Sequence, residues 1–182
     1  MYGYLREVCP IALLDAQYDD VTGRGRVACV VAESWSAVDS MREYVLEVDD
    51  VKPYRPGYFF ERELPGLLRI LQLVSDPLEA VIVDGYVDLD ERGRAGLGAH
   101  LHEALGRKVP VVGIAKRPYR GSDFAESVLR GDSRVPLFVT ARGISAAQAV
   151  GYVRAMHGAH RIPTLAKRVD HLARGLAQAK ER

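Results

Sequence analysis

Apolar and polar positions along the chain alternate between two periods. Residues 11–18 (IALLDAQY) form a short apolar run broken by one acid, and residues 26–34 (RVACVVAES) are apolar and β-branched. The stretch Thr22-Gly23-Arg24-Gly25 between them is turn chemistry, so the two runs read as a hairpin. Alternation over 43–48 (EYVLEV) predicts a third strand. A Pro/Gly-rich crossing at 52–57 leads into helical spacing at Leu64, Leu67, Leu68, Ile70 and Leu71, which ends before Pro77. Two continuous apolar runs, LEAVIVDG at 78–85 and VPVVGIAK at 109–116, suit the centre of a sheet covered on both faces. Between them Leu97, Leu101 and Leu105 predict a helix over 92–106. The segment SVLR, a turn at GDSR, and PLFVT predict a small hairpin, and two helices follow near 145–157 and 164–179. Three strands, then helix and strand twice over, then a hairpin and two helices, imply an α/β fold with a mixed sheet flanked by helices.

Composition narrows the class without changing that picture. The 182 residues, 48% hydrophobic and 27% charged, predict one soluble globular domain spanning 1–182, and exclude disorder, collagen and coiled coil. No apolar run reaches the roughly 18 residues that cross a bilayer. The first twenty residues show neither a basic leader region nor a small-residue cleavage site. Cys9 and Cys29 cannot build a disulfide framework or, alone, a zinc site. A cytoplasmic monomer without membrane contact is the expectation.

Charge is informative only when divided. Residues 1–104 hold 10 Lys and Arg against 19 Asp and Glu, a net −9, whereas residues 105–182 hold 15 against 5, a net +10. That division suits carboxylates gathered around metal ions beside a basic surface for a polyanion, though two solvated faces would also produce it. His171 lies among Lys167, Arg168 and Arg174 in the last helix, a cluster open to the same two readings.

Candidate chemistry sits at the ends of the buried-type strands. Asp84 closes LEAVIV and Lys116 closes VPVVGIA. Ligands of open α/β sheets bind beyond the carboxyl ends of strands. Asp15 lies inside an apolar run, where an acid must be paired, coordinated or functional, and Glu63 opens a helix. Three acids from separate elements beside a lysine make a Mg²⁺ phosphodiesterase site, since hard cations prefer carboxylate oxygens, polarise a phosphate and lower the pKa of an attacking water. Plainer readings stand beside this one: Asp84 before Gly85 suits a turn, and Glu63 suits a first helical turn. Asp15 has no such excuse. The metal reading requires the carboxyl groups of Asp15 and Asp84 to lie within about 8 Å, given metal–oxygen bonds of about 2.1 Å.

Four segments taken in order are more specific. Pro53-Tyr54-Arg55-Pro56-Gly57 running into Arg62-Glu63, then Val83-Asp84-Gly85, then Gly113-Ile114-Ala115-Lys116, with Asp15-Ala16-Gln17-Tyr18 upstream, resemble the endonuclease V family. The resemblance covers most of the chain. It implies an RNase H-like fold and Mg²⁺-dependent cleavage, with Mn²⁺ as a substitute, on the 3′ side of deoxyinosine in DNA or inosine in RNA. It implies Asp15 and Asp84 as metal ligands, Glu63 at the metal or its waters, and Lys116 at the reacting phosphate. Tyr54 would be a strand-separating wedge, an aromatic ring held between prolines that stacks on an exposed base. Gly57, Gly85 and Gly113 would line the pocket of an extruded base.

The chain also departs from the family pattern. Where members continue after the VDG segment with a polar residue, a second glycine and then a histidine, this chain reads Tyr86-Val87-Asp88-Leu89-Asp90-Glu91. Where members carry Gly-His after a strand, it reads Ala141-Arg142-Gly143-Ile144-Ser145. Val87 would narrow the base pocket, and Arg142 would meet a phosphate electrostatically without acting as a base. These departures frame two rivals to the inosine-directed endonuclease: a homologue that binds damaged or structured nucleic acid without cutting, and a nuclease of relaxed base preference.

Overall fold

The structure is a computed structural model that describes residues 9–49, 51, 58–119 and 123–180. Its strands are β1 (Ile11–Asp19), β2 (Arg24–Ala32), β3 (Arg42–Val48), β4 (Ala80–Asp84), β5 (Val111–Ala115), β6 (Glu126–Val128) and β7 (Leu137–Arg142). Its helices are α1 (Phe59–Leu71), α2 (Leu97–Ala104), α3 (Ala146–Ala155) and α4 (Thr164–Ala173). The strands form one sheet in the order β3-β2-β1-β4-β5-β7-β6. β1, β4 and β5 run parallel, while β2, β3 and β7 are antiparallel to their neighbours. The mixed α/β architecture predicted from periodicity is the one observed, hairpins included.

Period-two alternation divides the strands between two cores. Ile11, Leu13, Ala28, Val30, Ile82, Val112 and Ile114 pack beneath α3 and α4. Ala12, Leu14, Val27, Cys29, Val31, Val81 and Val83 pack with Leu67 and Ile70 of α1 and with Leu97 and Leu101 of α2. Burial on both faces explains why β4 and β5 read as unbroken apolar runs.

Two helices are shorter than their apolar spacing suggests. The predicted start at residue 92 moves to Leu97 because 88–95 folds on itself. Asp88 bridges Ala95, and the Asp90 carboxylate accepts the Arg92 and Arg94 N–H groups, each at 3.0 Å. Side-chain acceptance of this kind competes with helix. α4 stops at Ala173 rather than 179 because Gly175 turns left-handed at φ +68°. Its N–H donates to Leu172 and that of Leu176 to His171, the hydrogen-bond pattern of a Schellman end.

Candidate active site

Strand register brings the acids together. β1 and β4 are parallel neighbours with Leu14 opposite Val83, so Asp15 and Asp84 emerge side by side one residue further on. Asp84 faces Ile114 of β5, and Lys116 follows two residues later at the same end of the sheet. α4 crosses over β1 and contributes Asp170. One carboxylate oxygen each from Asp15, Asp84 and Asp170 lies within 4.8 Å of the others. That is well inside the separation the metal reading requires. The Lys116 Nζ donates to Asp84 Oδ2 at 2.6 Å and reaches Asp170 Oδ1 at 3.4 Å.

The electrostatics are those of a site short of positive charge. Burial first, and then the neighbouring Asp84 charge, push the Asp15 carboxyl up to about 6, against the pull of the Ala16 N–H and Lys116. Glu63, only 7% exposed, is pushed up to about 8 by burial and by the charges of Asp15 and Asp84, with Arg62 opposing. Burial works against the charge on Lys116, but the hydrogen bond and charge of Asp84, with Asp170 and Asp15 behind it, hold its pKa above the usual range. The donor set fits a hard divalent cation, because carboxylate oxygens crowd together and raise one another's proton affinity in its absence.

Other sequence candidates are placed more diversely. Glu63 is near enough to feel the charges of Asp15 and Asp84 but lies outside the tight three-acid group, whose third member is Asp170. Sequence reasoning passes over Asp170 because it is embedded in a basic helix. The available signal is that it is the one acid of that helix, in a half of the chain with only five. Tyr54 and Gly57 lie outside the described residues. Gly85, half-buried at φ +128°, sits where the chain leaves β4 in a conformation that favours glycine. Gly113 is buried beneath it. A Cβ there would meet the Gly85 carbonyl at 2.5 Å and Thr140 Oγ1 at 2.9 Å, so Gly113 lets the Gly85 segment lie against β5.

The departures from the family pattern find structural partners. Arg142 stands opposite Val111, at the end of β5 away from Lys116, and its guanidinium grips Asp88 at 2.6 Å and reaches Glu103 at 3.5 Å. The structure therefore does not bring Arg142 to the carboxylates, and it supplies Asp88 with a counterion. Val87 is fully buried against Gly98, and its N–H donates to Thr140 Oγ1 at 2.8 Å. Its side chain fills the core between α2 and the sheet.

A carboxylate triad and a lysine at the carboxyl ends of adjacent strands, on a mixed sheet flanked by helices, define the class as an RNase H-like α/β protein with a metal-type acidic centre. The profile of the endonuclease V family matches residues 5–157, and the chain belongs to that family of nucleases. Endonuclease V of Streptomyces avermitilis is 29% identical over 181 residues, covering 88% of this chain and 77% of that protein. Endonuclease V of Xanthomonas oryzae pv. oryzae is 33% identical over 122 residues, 67% of this chain and 50% of the relative. Among solved structures, Ciona intestinalis endonuclease V in complex with a 24mer DNA containing an inosine followed by a ribo-adenosine shares the fold at a TM-score of 0.76 and 18% identity. That superposition covers 94% of this chain and 87% of the Ciona chain. α4 and Asp170 lie beyond the stretch the family profile matches. No helix among the described residues is long and apolar enough to cross a membrane.

Proposed function

We propose that the chain is a divalent-metal-dependent endonuclease that hydrolyses a phosphodiester bond on the 3′ side of inosine in DNA, in the service of DNA repair. The observation that carries this reading is the meeting of Asp15, Asp84 and Asp170 around one point, with Lys116 beside them. Asp15, Asp84 and Asp170 would hold Mg²⁺, or Mn²⁺ in its place, and Glu63, whose ionisation a bound cation would favour, would help hold the ion or its waters. Such an ion, when bound, polarises the phosphate and makes water a stronger nucleophile at neutral pH.

The chain's own groups do the rest. An ammonium has three N–H donors, and two on Lys116 are directed at Asp84 and Asp170. The third remains to meet a non-bridging phosphate oxygen, and the raised pKa keeps Lys116 charged for that task. Gly85 presents bare backbone to the edge of an extruded base while Gly113 supports it from below. Tyr54 would separate the strands beside that base, and Gly57 would join Gly85 in lining its pocket. Attack in line with the departing 3′ oxygen leaves a 3′-hydroxyl and a 5′-phosphate.

The test uses matched oligonucleotides with and without one inosine, as single strands, duplexes and RNA, incubated with Mg²⁺ or Mn²⁺. Nicking of the inosine strand by the wild type and its loss in Asp84→Asn supports the reading. Binding without nicking, or nicking regardless of inosine, overturns it in favour of a binding protein or a nuclease of relaxed preference. Nicking of the RNA arm alone moves the substrate from DNA to inosine-containing RNA.

A further inference from the structure

The acidic centre by itself repels the substrate proposed for it. The carboxylates of Asp15, Asp84 and Asp170 meet where a phosphate must arrive, with the Glu63 carboxyl close by, and the cations beside them, Lys116 and Arg174, are already paired with Asp84 and Asp170. A strand that carries one negative charge per nucleotide needs a positively charged approach. Such an approach lies on α4.

Lys167, Asp170, His171 and Arg174 are spaced i, i+3, i+4 and i+7, which places them on one helical face. Together with Lys116 and His160 they line a groove of about 440 Å³ that opens beside the carboxylates. Asp170 is the one acid in its lining, and it is directed toward the acidic centre. Lys167 is exposed and, among the described residues, has no carboxylate within salt-bridge distance, whereas Arg174 is held by Asp170 at 3.1 Å. The groove's other guanidinium, Arg161, bonds the carbonyls of Lys116 and Pro136, so it adds charge while fixing the wall next to the lysine. No aromatic ring of Phe, Tyr or Trp among the described residues is part of the lining, so the groove offers charge and hydrogen-bond donors but no stacking platform.

We propose that this α4 groove is the track for the phosphodiester backbone of the strand being cut, contacting phosphates next to the scissile one without reading bases. Lys167 and Arg174 are seven residues apart, about 10 Å along a helix rising 1.5 Å per residue, enough to engage more than one phosphate. One helix thus delivers the third acid of the centre and, on the same face, the cations that bring the polyanion to it. This inference rests on the nuclease reading of the centre, and it accounts for part of the positive charge concentrated after residue 104.

The test measures binding of an inosine-containing single strand and of its adenine counterpart to wild type, Lys167→Ala and Lys167→Glu, across a range of salt concentrations without divalent metal. Steady-state nicking with Mg²⁺ is measured in parallel. Removing one cation that neutralises a phosphate should reduce the slope of log affinity against log salt by about 0.7 on a single strand. Lys167→Ala should weaken both strands equally, by about threefold to tenfold near 0.1 M salt, and Lys167→Glu by more. In nicking assays the effect should fall on KM. An unchanged salt slope, or an effect confined to kcat, overturns the track. Failure of the nuclease reading is separately visible, because the wild type would then leave the inosine strand intact whatever the salt slopes show.

Discussion

Two glutamates, Glu43 and Glu63, are buried to a similar degree and live in opposite electrostatic worlds. Glu43 on β3 is 9% exposed, and its carboxylate is fully partnered. Arg168 of α4 forks onto it at 2.9 and 2.7 Å, the Ser40 hydroxyl donates at 2.8 Å and the Lys180 N–H at 2.8 Å. Burial pushes its pKa up, but these donors outweigh burial and bring it down to about 2. Glu63 is 7% exposed, faces Asp15 and Asp84, and among the described residues has no hydrogen-bond donor on its carboxylate. A chain that can furnish four donors to one buried acid shows that crowding three acids around Lys116, with Glu63 close by, is not a failure of folding. One carboxylate is a tie between α4 and the sheet edge; the other lies beside the centre proposed to hold a divalent cation.

The comparison breaks most sharply at Asp84. Asp84→Asn removes a charge from the crowded centre and leaves both hydrophobic cores intact. Nicking of an inosine duplex should fall by on the order of 10³-fold or more, about 4 kcal/mol of transition-state stabilisation, with an unchanged far-UV spectrum. Retained nicking would mean that the acids are not the reacting centre.

Arg168→Ala tests the other member of the pair. It leaves Glu43 buried without its fork, and removal of one partner from such a pair costs about 3 kcal/mol. In a protein of this size that lowers Tm by roughly 10 °C. The pH dependence has a definite sign. A carboxyl with a depressed folded pKa stabilises the fold fully above its ordinary value near 4.5, and that contribution disappears as pH falls toward about 2. Acid titration of wild type and Arg168→Ala should therefore converge below about pH 4. Parallel curves over that range would remove Glu43 from the account.

How much of this is legible in the sequence follows the same division. Asp15, Asp84 and Lys116 can be read because strands impose a period of two and end abruptly, so an acid within or just after an apolar run stands out. The seven strands among the described residues are visible as apolar or alternating runs bounded by turn residues. Asp170 and the Glu43–Arg168 tie are not, because both depend on where α4 crosses the sheet. Those partners are separated by 86 residues (84 to 170) and 125 (43 to 168). The place of Arg142 in a motif suggests a phosphate, whereas the fold pairs it with Asp88 at the far end of β5. Long-range ion pairs leave no local trace in composition or spacing.

Glu63→Gln sharpens the contrast from the acidic side. A carboxyl raised to about 8 is protonated in the native state and ionised in the unfolded one between about pH 4.5 and 8. Wild-type stability without metal should therefore fall as pH rises through that window. The variant should flatten the fall and gain on the order of 2 kcal/mol at pH 8, read by urea unfolding. Added Mg²⁺ or Mn²⁺ should stabilise wild type more than the variant. A variant that loses stability at pH 8 would show that Glu63 is partnered after all.

The smallest effect probes how finely the Glu43 tie is built. Ser40→Ala removes one donor of several and leaves the Arg168 fork and the Lys180 N–H in place. A single neutral hydrogen bond to a charged acceptor is worth about 1–2 kcal/mol, so Tm should drop by only a few degrees. The Glu43 pKa should rise but stay below its ordinary value, because the guanidinium remains. Nicking by folded protein should be unaffected, since Ser40 and Glu43 lie outside the carboxylate triad and the α4 groove. A change in nicking at constant fold would mean that the tie sets the position of α4, and with it Asp170, so that the two glutamates act on one mechanism.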